Sequence, residues 1–333
     1  MKLPVRLPVF FGIAPLGLLL GLLLGLADPP VSPPVRPSLN VHLPKLAFGS
    51  SGMLRVVTAN PDERLNLPVS VEGVGPGEVL YRWLPLYGTR SVLPITEFPL
   101  ASGIMAPSEP GIWRLRLRAG SIREEIKDLT VVVRVPFAAK QGGEINGYRI
   151  GRYATEGRIR FDAYSPPMGF IEVTPENQDM QLSEHLRLRQ FVTKNQREIW
   201  PKYVALDLRL IDKLELVMQE LNAMGIPARR MAVMSGFRTP DYNGPGEGGR
   251  ATLSRHTYGD AADVWVDNDG NGYMDDLNGD GRVDANDAAV MRIAADRVEA
   301  RYPELIGGNG VYASTLEHGP FIHIDVRGKR SRW

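Results

Sequence analysis

The sequence contains no cysteine, and this absence excludes disulfide bonds, thiolate metal sites, iron–sulfur clusters and a cysteine nucleophile. It also lacks a charge bias, because 39 lysines and arginines face 38 aspartates and glutamates. No overall field therefore attracts nucleic acid. Histidine is scarce, with five in the chain. Any metal site must accordingly be built from a few imidazoles and from carboxylates.

What is present is the composition of an ordinary globular protein, with 43% hydrophobic and 23% charged residues. Such values exclude a collagen-like chain, a coiled-coil rod and a wholly disordered chain. A length of 333 residues favours about two domains. No repeat of about 20–50 residues is visible, which argues against a solenoid.

The first 27 residues are a candidate targeting segment. Residues 1–27 begin with two basic residues, Lys2 and Arg6, and continue as an uncharged apolar run that ends with the small residues Gly25 and Ala27. This pattern is typical of a cleavable secretory signal. The run is also long enough to cross a bilayer, so an uncleaved anchor is the alternative. Both interpretations export the remaining chain to the periplasm or cell envelope, and the second anchors it to the inner membrane.

The pattern after this segment divides the chain into four further parts. Residues 28–40 are rich in proline and predict an extended linker. Residues 41–136 contain short alternating apolar runs separated by glycine and proline, which is typical of a small antiparallel β-sandwich. Residues 137–179 are a connecting segment, and helix signals appear in residues 180–333.

Two helices and a strand are predicted early in this last part. One helix is expected over Leu182–Thr193. Another is expected over Leu206–Met224, where apolar residues recur at spacings of three and four and Gly225 supplies the end. A strand is expected at Arg230–Ser235. The apolar stripe of the second helix is typical of a face that packs on a core.

Two histidine-bearing segments near the end of the chain carry the candidate chemistry. In the first, His256 and Asp263 are seven residues apart, and a strand is expected to start at Asp263. In the second, alternation places Phe321, His323 and Asp325 on one face of a strand. Two imidazoles and one carboxylate are a suitable donor set for a catalytic zinc ion with one open position. The alternative is that these histidines are structural.

Three motifs in order carry a resemblance to a known family: Ser235-Gly-Phe-Arg238-Thr-Pro-Asp-Tyr-Asn243, Ser254-x-His256-x-x-Gly259-x-Ala261-x-Asp263, and Phe321-Ile-His323-Ile-Asp325-Val-Arg-Gly328 with the final Arg332-Trp333. They resemble the zinc D-alanyl-D-alanine carboxypeptidase family of D,D-peptidases over residues 180–333, and the β-rich half shares none of them. The resemblance implies that His256, Asp263 and His323 are the zinc ligands.

The expected fold class is therefore α+β. A C-terminal zinc-peptidase domain would consist of a small, mostly antiparallel sheet with flanking helices. An all-β, sandwich-like domain would precede it.

The resemblance also implies roles for two polar residues. Arg238 would hold a substrate carboxylate or the carbonyl oxygen that becomes negative, which suits a planar and permanently charged group. Ser254 would hydrogen-bond the substrate or brace the site. The alternatives are an ion pair between Arg238 and Asp241, and a turn that Ser254 caps.

The chain departs from the family at the catalytic base. Many relatives place a glutamate or aspartate three residues before the last histidine, as the base that activates water, and this chain has Pro320 there. The base must accept one proton and pass it to the leaving amine. His318 is the favoured candidate and Glu317 the alternative, because both precede a Gly-Pro turn that folds them towards the metal.

An aspartate-rich insert at residues 267–287 separates the two histidine segments. Residues 260–287 contain nine aspartates and one arginine, and such crowded carboxylates repel each other unless a cation neutralises them. The second half resembles a dockerin-type EF-hand loop. Its expected calcium ligands are Asp276, Asn278, Asp280, Arg282 through its carbonyl, Asp284 and Asp287. The first half supplies a weaker second set: Asp267, Asp269, Asn271, Tyr273 through its carbonyl, and Asp275.

A helix is expected after the insert, from about Ala285 to Ala300. Calcium would then be structural, because it would fold the insert that connects two zinc-ligand segments. A solvated acidic loop is the alternative.

The leading functional hypothesis is an exported zinc metallopeptidase that hydrolyses peptidoglycan stem peptides, as a D,D-carboxypeptidase or an endopeptidase. A non-catalytic, metal-dependent peptidoglycan-binding module and a calcium-dependent adhesion or structural protein of the envelope are the alternatives. A membrane is expected to contact only the N-terminal segment. Gly307–Gly310 lacks the spacing of a dinucleotide-binding fingerprint and predicts a turn.

Overall fold

The computed structural model describes residues 55–67, 69, 71, 74–88, 96–154, 156, 164–244 and 251–333. The predicted signal or anchor, the predicted linker and His42 lie outside the described residues. Among the helices of the described part, none is both long and apolar enough to cross a membrane.

Short strands follow one another from residue 55 to residue 149. They are β1 Arg55–Ala59, β2 Arg64–Leu65, β3 Val79–Pro85, β4 Phe98–Pro99, β5 Ile104–Met105, β6 Gly111–Ala119, β7 Ile122–Val133, β8 Val135–Pro136, β9 Glu144–Ile145 and β10 Tyr148–Arg149. Five of them form a sheet in the order β1-β7-β6-β3-β4. Its pairs are antiparallel except β1 and β7, which are parallel and so depart from the antiparallel expectation.

The alternation of the long strands separates two buried clusters. Trp113, Leu115 and Leu117 of β6 point to one face and pack with Leu65 of β2 and Ile104 of β5. Ile112 and Val132 point to the opposite face of the sheet and belong to the large buried cluster that otherwise spans residues 135–326. One face of this sheet therefore packs against the second half of the chain.

The second half adds seven strands and three helices to the described fold. They are β11 Gly169–Val173, β12 Lys202–Val204, α1 Leu208–Ala223, β13 Met231–Ser235, α2 Pro240–Asn243, β14 Ala261–Val266, α3 Ala285–Arg301, β15 Gly308–Tyr312, β16 Phe321–Asp325 and β17 Ser331–Arg332. The helix predicted over Leu206–Met224 is α1. It begins after Asp207, whose carboxylate accepts the N–H of Arg209, and Gly225 follows its end with a φ of 82°.

The sheet of this half has the order β13-β14-β16-β15-β17. Its pairs are antiparallel apart from the parallel pair of β15 and β17. Leu214 and Val217 of α1 share the large buried cluster with Met291 of α3 and with Ile322 and Ile324 of β16. Mixed sheets and few helices place the described residues in the α+β class.

Two expectations about local structure are wrong. Leu182–Thr193 is not a helix and contains only the 3-10 turn Leu188–Phe191. Its backbone bonds run to other segments, since the N–H of Leu188 donates to Met180 and that of Arg189 to Gln178. Its apolar side chains are buried, so the conformation of this segment is determined by tertiary packing rather than by its helix-like apolar pattern.

Gly307–Gly310 is the second error, because three of its residues start strand β15 between β16 and β17. Gly307 and Gly310 are needed because neighbouring groups lie where a Cβ atom would be. A Cβ at Gly307 would lie 1.9 Å from the carbonyl oxygen of Asp325, and one at Gly310 would lie 2.3 Å from the ring of Trp333.

Candidate metal centre

His256, Asp263 and His323 converge from three separate elements. His256 lies in a 3-10 turn at Arg255–Tyr258, Asp263 in the middle of β14 and His323 in the middle of β16. Asp263 and His323 are directly opposite each other in the antiparallel pair of β14 and β16. All three side chains are buried. The pairing of two strands and one adjoining turn therefore builds the cluster.

Gly259 fixes the turn that carries His256. It ends the turn with a φ of 75°, a conformation that glycine adopts without strain. A Cβ at this position would lie 2.2 Å from the carbonyl oxygen of Ala205. Ala261 and Ala262 follow and are fully buried. The small residues of the motif thus bring the turn close to its neighbours and let β14 start immediately after it.

The three side chains present one donor atom each to a common point. Nε2 of His256 lies 3.2 Å from Oδ1 of Asp263 and 3.2 Å from Nδ1 of His323. Nδ1 of His323 lies 3.0 Å from the same Oδ1 of Asp263. Ligands bound about 2.0–2.1 Å from a tetrahedral zinc ion are about 3.3 Å apart. The three separations therefore fit one face of a zinc coordination shell.

The opposite ring nitrogens are already engaged. Nδ1 of His256 lies 2.7 Å from the carbonyl oxygen of Gly236, so it donates its proton there. Nε2 of His323 lies 3.1 Å from Oδ2 of Asp325 and donates to that carboxylate. In the neutral rings the lone pairs therefore point at Asp263. This is the outer-shell arrangement that orients histidines bound to zinc.

The pKa directions of the three side chains show that their charges are coupled. Burial lowers the pKa of His256 below its usual value. Burial acts in the same direction on His323, but its hydrogen bonds with Asp263 and Asp325 outweigh it and raise the pKa. Burial disfavours the ionised form of Asp263, yet the two imidazoles hold the pKa of this carboxyl well below its usual range. Asp263 is held ionised by positive charge beside it, which Arg238 supplies at one oxygen and which a proton on His323 or a metal ion can supply at the other.

Arg238 lies beside the cluster and not beside Asp241. Its Nη2 donates to Oδ2 of Asp263 at 2.6 Å, and its Nε donates to Oγ of Ser235 at 2.8 Å. Asp241 lies instead 3.9 Å from Nε of Arg149. Arg238 therefore neutralises the carboxylate oxygen of Asp263 that faces away from the histidines.

Asp325 has a role that the sequence did not assign, although its alternation with His323 was visible. Its carboxylate accepts from Nε2 of His323, from the N–H of Gly308 at 2.8 Å and from the guanidinium of Arg327. Its carbonyl oxygen accepts from the buried Nζ of Lys213 at 2.7 Å. Burial disfavours its ionised form, but His323 and Arg327 hold the pKa of Asp325 below its usual range.

Lys194 lies close enough to Arg238 and Asp263 to feel their charges, and the sequence did not indicate this proximity. Partial desolvation and the neighbouring charge of Arg238 lower the pKa of this lysine, while Asp263 acts in the opposite direction. No motif pointed to it, because it precedes the arginine segment by more than 40 residues and follows a mispredicted helix.

The remaining predicted residues are not members of the three-residue cluster. Ser254 is buried at the start of the 3-10 turn, but its hydroxyl makes no capping hydrogen bond. Glu317 is exposed. His318 lies against the ring of Phe321 with 4.9 Å between centroids, and its Nδ1 is 2.8 Å from the carbonyl oxygen of Gly319. No ion pair among the described residues joins Glu317 or His318 to the cluster.

An aromatic wall, defined as Tyr312, Phe321 and Trp333, flanks His323. The rings of Tyr312 and Phe321 stack with 4.6 Å between centroids, and Trp333 lies 5.4 Å from the ring of His323. Nε1 of Trp333 donates to the hydroxyl of Tyr312 at 2.8 Å. Tyr312 and Trp333 remain partly exposed, so the wall is accessible from solvent.

The aspartate-rich insert folds as two consecutive loops, residues 267–275 and 276–284, and its last residues begin α3. Asp267, Asp269 and Asp275 of the first loop converge. In both loops the acidic side chains accept backbone N–H groups. Asp284 and Asp287, for example, form a capping box at the start of α3. The structure thus gathers carboxylates in the half from which the weaker site was expected.

Comparisons of the chain with protein-family models, with curated proteins and with solved structures found no match. The resemblance to the D,D-peptidases therefore rests on the three motifs alone.

Proposed function

We propose that this chain is an exported zinc metallopeptidase that hydrolyses peptide bonds in peptidoglycan stem peptides. One observation carries the proposal: His256, Asp263 and His323 present one donor atom each to a common point, at the spacing of zinc ligands. The hydrogen bonds of their other atoms support it, because they hold both imidazoles in the ligating tautomer. The three motifs supply the choice of substrate, and the N-terminal segment supplies the export.

Zinc, when bound by these three residues, would polarise a scissile carbonyl and lower the pKa of water towards about 7. The chain's own residues prepare the site. Asp325 holds the proton of His323 on Nε2. Arg238 stabilises the charge of Asp263 with Nη2. Its remaining N–H groups are the ones that would meet the negative oxygen or a terminal carboxylate of the substrate.

His318 is the residue that we propose as proton acceptor. Since its Nδ1 donates to the carbonyl oxygen of Gly319, its Nε2 carries the lone pair. Its ring packs on Phe321, two residues before His323 on the same face of β16. In this role Nε2 would take a proton from water and return it to the leaving amine. Glu317 lacks any described contact that would hold its carboxylate near the site.

The aromatic wall suits a substrate of small apolar groups and peptide planes. Tyr312 and Trp333 are fixed to each other by a hydrogen bond, so the wall is rigid where the substrate would pass. A stem peptide ending in D-alanine would place its methyl groups on these rings and its carboxylate towards Arg238. Carboxypeptidase and endopeptidase action differ in whether that carboxylate is free.

The test measures metal content and turnover on the same sample. The full chain is purified in detergent, its zinc per chain is determined, and it is incubated with muropeptides that end in D-alanyl-D-alanine or are crosslinked. We expect one zinc per chain and product masses that identify the bond cut. His323→Gln should lose both zinc and turnover. His185→Gln is the matched control, since His185 pairs with Glu215 away from the cluster. A wild-type chain without zinc would refute the proposal.

A non-catalytic peptidoglycan-binding module is the second candidate, favoured by Pro320 at the place of the family's base. A zinc-loaded chain that binds muropeptides and leaves all of them intact would establish this function instead. His318→Gln tests the proposed proton acceptor, because it should reduce the turnover of a peptidase and leave its muropeptide affinity unchanged.

A further inference from the structure

A second group of acidic side chains converges outside the candidate metal centre. Asp267, Asp269 and Asp275 each bring one carboxylate oxygen within 4.8 Å of the others. Asp267 directly follows β14 and is 1% exposed. Three carboxylates at this separation repel one another unless positive charge lies between them. Crowding alone does not make a site, and Asp269 and Asp275 already accept hydrogen bonds from Asn271 and Asn268. The buried oxygens of Asp267 therefore decide the matter.

One oxygen of Asp267 is left without a partner. Its Oδ2 accepts the N–H of Gly272 at 3.2 Å and lies 3.9 Å from Nη2 of Arg230. Its Oδ1 is buried and receives no hydrogen bond. A buried carboxylate oxygen without a donor loses its hydration and gains nothing in return. Arg230 does not remedy this, because it faces the other oxygen and is half exposed.

The second loop provides an internal comparison, because it repeats the first at a distance of nine residues. Gly281 donates to Oδ2 of Asp276 at 2.8 Å, as Gly272 does to Asp267. In the second loop, however, Oδ1 of Asp276 also accepts, from the N–H of Gly279 at 2.7 Å. Asp276 is exposed as well. The unpaired oxygen is thus specific to the first loop.

The donors of the first loop select the ion. All are oxygens, which favour a hard cation over zinc. Three carboxylates and the nearby Arg230 leave two negative charges, which a divalent ion neutralises. An irregular loop with glycines at 270 and 272 suits the larger and less demanding coordination of calcium better than the strict octahedron of magnesium.

We propose that residues 267–275 bind one calcium ion through Asp267, Asp269 and Asp275, with Oδ1 of Asp267 as the buried ligand. The ion fixes the end of β14. The N–H of Asp267 donates to the carbonyl of Arg230 at 3.1 Å, and that of Asp275 donates to Val266 at 3.0 Å, so the loop closes on the strand. Asp263 lies four residues earlier on this strand. The assignment does not rest on the peptidase proposal.

The test titrates calcium chloride into the full, zinc-loaded chain by calorimetry and follows thermal unfolding on the same samples. Asp269→Asn changes an exposed ligand and leaves the buried Asp267 in place. Asp280→Asn makes this change at a second-loop residue that the sequence predicted as a ligand, and Asp128→Asn makes it at an exposed position of β7, outside both loops. We expect one calcium per chain, bound about tenfold or more weakly in Asp269→Asn and with unchanged affinity in Asp128→Asn. Calcium should raise the unfolding temperature of the wild type more than that of Asp269→Asn.

Three outcomes would overturn the assignment. No calcium binding by the wild type at about 1 mM excludes the site. Loss of binding in Asp280→Asn, with Asp269→Asn unaffected, moves the site to the second loop. Tighter binding of magnesium than of calcium shows that the ion is misidentified. None of these outcomes depends on peptide hydrolysis.

Discussion

Asp325→Asn tests the idea that a carboxylate behind His323 makes this histidine a metal ligand. The carboxylate of Asp325 is fully buried, and its neighbours are all donors. Oδ1 accepts from the backbone N–H groups of Gly308 and Arg327, and Oδ2 accepts from Nε2 of His323 and from the side chain of Arg327. An amide of the same shape must turn its NH2 group towards one of these sides.

The two sides respond differently. The backbone N–H groups are fixed in place, whereas the side chain of Arg327 can turn away, so the amide oxygen should stay with Gly308. The NH2 group then faces Nε2 of His323, which can accept it only if the ring proton moves to Nδ1. Nδ1 is the atom that points at His256 and Asp263. The variant thus favours the tautomer that cannot bind metal, as when a catalytic aspartate is replaced by asparagine.

The expected loss of zinc affinity is about 10–100-fold, the usual effect of removing an outer-shell partner. This corresponds to about 1.4–2.7 kcal/mol. Zinc affinity is measured by chelator competition, and the tautomer of His323 is read from ring nitrogen chemical shifts in the neutral, metal-free protein. Asp128→Asn makes the same change at an exposed position of β7 and should leave both readouts unchanged. A folded Asp325→Asn chain with wild-type zinc affinity would refute the reasoning.

Two further predictions follow from the geometry of the cluster. Gly259→Ala and Gly225→Ala both place a side chain at positive φ, at a cost of about 1–2 kcal/mol of the free energy of unfolding. Gly259→Ala should lower the free energy of unfolding by about 1–3 kcal/mol more than Gly225→Ala does, because the new Cβ would meet the carbonyl of Ala205 whereas a Cβ at Gly225 meets nothing. Equal urea unfolding midpoints for the two variants would contradict this. In chelator, the raised pKa of His323 means that the folded state holds this proton more tightly than the unfolded state. The contribution of this proton to the free energy of unfolding should be fully present below pH about 6.5, and it should be lost as the pH rises through the pKa of the folded state. In urea titrations, His323→Gln should abolish this pH dependence.

The sequence predicted the elements whose signals are local. The apolar spacing and the glycine that follows it predicted α1, and the alternation around His323 predicted β16. The structure also brings together the three residues predicted as metal ligands, which lie in two short motifs. That they bind zinc stays a prediction. For α1 and β16, the residues that predict the element lie within it or directly beside it.

What the sequence did not predict depends on contacts between distant segments. Leu182–Thr193 has a helical pattern, but its backbone pairs with residues before it. The partner of Arg238 is Asp263, 25 residues away, and not its neighbour Asp241. The two acidic loops are almost alike in composition. Only the burial of Asp267 at the end of a strand distinguishes them, and no spacing encodes that burial.

The facing positions of Asp263 and His323 have a consequence for how this chain tolerates change. Because side chains alternate along a strand, a shift of β14 by one residue against β16 would turn Asp263 away from His323 and towards the apolar side. Deleting or adding a single residue inside either strand should therefore destroy the cluster. The connection between the strands is free of this restriction, since lengthening a loop costs little once its ends are fixed. The aspartate-rich insert lies in that connection, so additional sequence at its exposed turns could be accommodated without disturbing the arrangement of the proposed ligands.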